Sequence, residues 1–194
     1  MLTMSFLEKK TLFGLTLLIW FQPAFAELEI RESYRYYEVY GDDPIAIRQS
    51  MNKQRKANVK GGYDAYVSWF LRWRFKYSDD LNGCYISNVS TQLKVRYTLP
   101  RLSNLAAKTK STQARWRAYY DALLEHEHGH RDWGVNAARA IESKLKAMPY
   151  YRNCLDLRID AQRKASHVLA TYLRGEKNYD RITRHGATQG ALFP

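Results

Sequence analysis

From Tyr63 to Tyr77 every second residue is apolar or aromatic (Tyr63, Ala65, Val67, Trp69, Leu71, Trp73, Phe75 and Tyr77), while Asp64, Ser68, Arg72, Arg74 and Lys76 fall between them. A period of two predicts a strand with one face on a core and the other in water. Asp79-Asp80-Leu81-Asn82-Gly83 reads as a turn, and alternation resumes through Tyr85, Val89, Leu93, Val95 and Tyr97 until Pro100 closes it. The two runs therefore form a long antiparallel hairpin. The tyrosine-rich segment from Glu29 to Tyr40 is a further strand. Its apolar phase shifts after Tyr36, from Ile30, Tyr34 and Tyr36 to Tyr37 and Val39, which predicts a bulge. Asp43-Pro44 opens a short helix with Ile47 and Met51 four apart, and this helix gives out in the basic run from Lys53 to Lys60.

Beyond Pro100 and a basic loop from Arg101 to Lys110, the period lengthens. Ser111 or Thr112 can cap a helix reaching towards Pro149, along which Trp116, Tyr120, Leu123, Leu124, Val135, Ala138, Ile141 and Leu145 form a broad apolar stripe. Gly129 and Gly134 inside it cost about 1 kcal/mol each relative to alanine. A tight helix crossing or a metal centre accounts for such a cost. A second helix follows from about Leu155 to Leu173, with Gly175 as its stop. The order of elements predicts one α+β domain: a small antiparallel sheet, made of the N-terminal strand plus the hairpin, packed against the two long helices.

The N-terminus has a different character. Lys9 and Lys10 precede an apolar run from Leu12 to Trp20 and the small-residue ending Ala24-Phe25-Ala26, the three regions of a secretory signal. The apolar run is shorter than the ~20 residues that span a bilayer. Residues 1–26 are therefore expected to be a cleaved signal peptide, leaving residues 27–194 as a single domain in the periplasm or outside the cell with no stable membrane anchor. The net charge of the chain is +12; setting aside Glu8, Lys9 and Lys10 removes one unit, so +11 belongs to the mature part. Outside the cytosol the natural partners of such a basic surface are anionic cell-envelope polymers or lipid headgroups, and nucleic acid is not an expected partner. The two cysteines, Cys84 and Cys154, are expected to pair as one disulfide in an oxidising compartment.

The candidate chemistry lies in the long helix, at His126-Glu127-His128-Gly129-His130. Residues four apart share a helix face, so the rings of His126 and His130 can close on one zinc ion. Glu127 is placed to act as general base on a water. His128 points about 200° away on the helix wheel. A catalytic zinc takes three protein ligands, so a third must come from elsewhere. Glu142 lies about 18 Å farther along a continuous helix and is out of reach. Trp133 and Asn136 stand where a metzincin extension would carry glycine and histidine. His185, in the polar tail, is the first candidate. Glu176 is the second, forming with Asp180 the Glu-x-x-x-Asp spacing by which gluzincins supply a third ligand and an orienting carboxylate. His167 is the third, although a mid-helix histidine is more commonly structural. Asp121 and Asp132 read as solvated charges or outer partners of the site.

These residues also resemble a known family. The segment Tyr36-Tyr37-Glu38-Val39-Tyr40-Gly41, the Trp69–Phe75 strand, Cys84, Trp116, the His126–His130 motif and the tail from Tyr179-Asp180 to Thr183-Arg184-His185-Gly186-Ala187-Thr188-Gln189-Gly190 are similar to a bacterial domain of unknown function. Its members are described as predicted secreted zinc-dependent proteases. The resemblance implies a zincin-like metallopeptidase that hydrolyses peptide or protein substrates, with zinc on His126 and His130 and Glu127 as base, and it raises His185 as a ligand. The rival expectation is a non-catalytic envelope-binding protein. In that reading Arg72, Arg74, Lys76, Lys94 and Arg96 dock an anionic polymer, and the histidines are structural or hold a metal without turnover.

Overall fold

The structure, a computed structural model, describes residues 28–105 and 108–194; the expected signal peptide at residues 1–26 lies outside them. The elements run β1 (Glu29–Val39), α1 (Pro44–Asn58), β2 (Tyr66–Asp80), β3 (Gly83–Leu102), α2 (Lys110–Lys146) and α3 (Cys154–Thr183), with short 3-10 turns at Lys60–Gly62 and Ala187–Gln189. The fold is α+β: a three-stranded sheet ordered β1-β3-β2, with α2 and α3 across one face.

The hairpin follows the two-residue period. Val67, Leu71, Val89, Leu93, Val95 and Tyr97 are buried on the helical side, and Arg72, Arg74, Lys76, Lys94 and Arg96 are exposed on the other. β2 pairs antiparallel with β3 from Tyr66↔Thr98 to Asp80↔Gly83. β1, by contrast, joins β3 in parallel, so the sheet is mixed.

Two strand expectations change in detail. The register of β1 runs unbroken from Glu29↔Gln92 to Val39↔Leu102, so no bulge occurs at Tyr36. The shift in apolar phase instead marks a change in which face is covered. Tyr34 stacks on Tyr97 on the α2 side, whereas Tyr37 and Val39 are buried on the opposite face, at the end of β1 that α1 packs against. The irregularity that does occur lies between Lys76 and Tyr77 on β2. Pro100 does not end β3, which continues to Leu102. Beyond Thr98 the β2 neighbour has ended and β3 is paired on one side only, where proline is tolerated.

The helix starts and stops are set by local chemistry. Asp43 caps α1 by accepting the Ile45 and Ala46 N–H groups, and α1 continues through the basic run to Asn58. Thr109, rather than Ser111 or Thr112, caps α2 by accepting the Thr112 N–H. Gly175 does not stop α3, which runs on to Thr183. A Cβ at Gly175 would lie 2.4 Å from Trp133 Cζ3, so glycine is needed there for α3 to cross α2 closely. This crossing carries the continuation of α3 over the His126–His130 face of α2.

Cys84 and Cys154 form the expected disulfide, with Cα atoms 5.1 Å apart, and it ties the start of β3 to the start of α3. Two backbone hydrogen bonds between Cys84 and Tyr151 reinforce this corner. A bridge closing 70 residues is worth roughly 4 kcal/mol in the chain-entropy treatment. Cys154→Ser is therefore expected to lower unfolding stability by about that amount in non-reducing denaturant titrations. An unchanged midpoint would contradict it.

Candidate metal centre

His126 and His130 lie on the buried face of α2, at 2 % and 8 % exposure, directly under the last turns of α3. Their Nε2 atoms are 3.3 Å apart. Asp180, from α3, places Oδ1 at 3.0 Å from His130 Nε2 and 3.2 Å from His126 Nε2. Among the described residues these three form a cluster able to hold a metal ion. Ligands at zinc bond lengths of about 2.0–2.1 Å on a tetrahedron stand about 3.3 Å from one another, so the observed triangle fits zinc with one vertex left open.

The far nitrogens of both rings are also engaged. His126 Nδ1 lies 2.9 Å from Gln189 Oε1, and His130 Nδ1 lies 3.3 Å from Glu176 Oε1, which also accepts from Trp69 Nε1 at 2.8 Å. When the rings are neutral, as metal binding requires, acceptors on the Nδ1 side favour the hydrogens there and leave the Nε2 lone pairs facing the cluster, the arrangement common behind metal-binding histidines. The structure thus gives the Glu-x-x-x-Asp pair roles by position. Asp180 belongs to the donor cluster, and Glu176 orients His130.

His185 stands beside the cluster and outside the three donors. Its Nδ1 is 3.3 Å from Asp180 Oδ1 and its ring stacks on Tyr63 with centroids 4.1 Å apart. His167 is exposed on α3, and the Glu142 carboxylate accepts from Thr91 at 2.7 Å. His128 meets the edge of Tyr97, Asp132 pairs with Arg131, and Asp121 is exposed.

Two glycines let the tail close over the site. A Cβ at Gly129 would lie 2.2 Å from Tyr179 Oη; the Tyr179 ring stacks on His126 with centroids 5.1 Å apart. After α3 the backbone turns through Arg184, His185 and Gly186 with φ of 50°, 53° and 83°. Non-glycine residues in this left-handed region are costly, and such strain gathers at functional sites. Gly186 is held there within 3.0 Å, measured from a hypothetical Cβ, of His126 Cγ. Gln189 follows from this turn.

Electrostatics divide the site. Burial opposes charge on His130, but the hydrogen bonds it donates to Asp180 and Glu176 outweigh it and raise its pKa to about 10 without metal. Burial also works against the Asp180 carboxylate, yet the hydrogen bonds from His126 and His130 hold it well below the usual range. Glu127 behaves oppositely: burial raises it to about 7 against the pull of His130 and His126. The Val67 N–H of β2 donates to its carboxylate, while Oε2 is buried with no hydrogen-bond partner. A cleft of about 410 Å³ opens between the N-terminal part of β2, α2 and the tail, lined by Ala65, Val67, His126, Glu127, Asp180 and His185 among others.

The cluster was partly legible from sequence. Spacing alone picks out His126, Glu127 and His130; it gives Asp180 only an orienting role beside Glu176, and it gives Gln189, Trp69 and Tyr179 none. The signal for Asp180 was its i,i+4 spacing to Glu176, which counts only if α3 passes Gly175. No curated protein and no solved structure matches this chain. Residues 34–186, which include His126, Glu127, His130 and Asp180, match the family described as bacterial protein of unknown function, DUF922, and the chain belongs to that family.

Proposed function

We propose that the protein is an exported zinc-dependent metallopeptidase in which His126, His130 and Asp180 hold the ion and Glu127 is the general base. The observation that carries this reading is the triangle of donors at 3.0–3.3 Å beside a buried carboxylate with one unpartnered oxygen. Bound zinc supplies Lewis-acid activation of the attacking water and the scissile carbonyl.

The remaining chemistry belongs to the chain. β2 is an edge strand, and its Val67 N–H already faces Glu127, so a substrate laid along this edge as an added strand passes the base. Glu127, poised near neutrality by burial, takes the proton of the attacking water and delivers it to the leaving amine. Glu176 and Gln189 fix the two rings, and Tyr179 covers His126.

Removing the metal tests the reading. Treatment with a zinc chelator is expected to abolish cleavage of an unfolded polypeptide, scored by new N-termini in mass spectra, and added zinc restores it. Cleavage that persists after zinc is removed would contradict the assignment.

A further inference from the structure

We propose that the solvent face of the sheet docks on an anionic phospholipid bilayer. The inference is independent of the zinc reading, because the donor cluster lies on the helical side of the sheet.

The pairing register places the side chains. Between the Tyr66↔Thr98 and Lys76↔Asn88 pairs, β2 presents Phe70, Arg72, Arg74 and Lys76, and β3 presents Lys94 and Arg96. The parallel partner β1 presents Arg31 and Arg35 on the same face, opposite Lys94 and Thr98. All seven cations are exposed. Within this region the acidic side chain on the face is Glu29, which is engaged by Arg31 and Gln92. Arg74, Lys76, Lys94 and Arg96 have no ion-pair partner among the described residues.

The arrangement selects the partner. Strands lie about 4.8 Å apart and same-face residues about 6.6 Å apart along each, so the cations spread in two dimensions rather than along a groove. Phe70 stands among them, 59 % exposed, in the row Arg31–Lys94–Phe70 with the Arg72 guanidinium 6.0 Å from its ring centre. A phosphate polymer gains nothing from an exposed phenyl ring. At a bilayer surface the ring enters the headgroup boundary while the surrounding guanidinium and ammonium groups meet lipid phosphates. Among the described residues no helix is long and apolar enough to cross a membrane.

Co-sedimentation of the protein beginning at Glu27 with phosphatidylcholine vesicles, with and without phosphatidylglycerol, tests the proposal. Binding is expected only with phosphatidylglycerol, falling as salt rises. Lys94→Glu with Arg96→Glu weakens it by at least about 25-fold, from roughly fivefold per cation. Phe70→Ser weakens it by roughly tenfold while leaving any binding of soluble polyphosphate unchanged. These side chains are exposed; should the double variant fold poorly, Lys94→Gln with Arg96→Gln and the salt series carry the same test. No binding to phosphatidylglycerol vesicles, binding insensitive to these substitutions, or polyphosphate binding that Phe70→Ser weakens as much as vesicle binding would each overturn it.

Discussion

Replacing Glu127 by glutamine is expected to lower peptide hydrolysis by about 10²- to 10⁴-fold, the range for loss of a general base, with zinc content unchanged. The substitution preserves shape and the acceptor facing the Val67 N–H, and it removes the proton-accepting charge. Because Glu127 is 4 % exposed and its Oε2 has no bonded partner, the native carboxylate carries an unrelieved desolvation cost. Glutamine relieves that cost, so the variant should be at least as stable as the native protein above pH 7. The sign follows from the raised pKa: burying the ionised form penalises the fold increasingly as pH rises from about 4.5 through about 7. The same shift sets the acid limb of the rate at or below about pH 7, since a bound cation favours the carboxylate further. Hydrolysis in Glu127→Gln equal to that of the native protein would remove the residue from the mechanism.

Asp180→Ala is the second large effect. Taking away one of three donors is expected to weaken zinc binding by more than the 10–100-fold typical of losing an orienting partner. It also changes the metal-free protein. There, His130 is raised from 6.5 to about 10, so its contribution to stability is complete below about pH 6.5 and is lost as pH rises through about 10. Asp180 is depressed, so its contribution is present above about pH 3.8 and disappears as pH falls through its lower folded value. Between these limits the metal-free native protein holds a His130–Asp180 ion pair. The alanine variant should lose stability across that window and show a flatter pH profile in urea. Zinc needs neutral histidine and favours the Glu127 carboxylate, so binding by the native protein at pH 7 should release between about one and two protons, visible by calorimetry in buffers of different ionisation enthalpy. A pH profile and proton release unchanged in Asp180→Ala would separate this residue from the cluster.

The elements with strong periodicity were the legible ones. The hairpin, the long α2 and the Asp43 cap follow from residues within a few positions of each other. What was not legible depended on distant partners. Gly175 reads as a stop because nothing local shows that Trp133 fills the space above it. Once α3 is seen to continue, Glu176 and Asp180 fall one turn apart on the face towards His130, and Asp180 joins the two histidines as a candidate donor. The phase change at Tyr36–Tyr37 likewise has two local readings, a bulge or a switch of covering helix, and only the packing of α1 against β1 decides between them. The parallel pairing of β1 is also invisible to a pattern that records faces and not directions.

Zinc per mole of purified protein, compared with His126→Ala, Asp180→Ala and His185→Ala, tests the central claim most directly. The donor triangle predicts about one zinc in the native protein and in His185→Ala, and its loss in His126→Ala and Asp180→Ala. Zinc kept by Asp180→Ala and lost by His185→Ala would make His185 the third ligand. A native protein that takes up no zinc after refolding with the metal would contradict the metallopeptidase assignment itself.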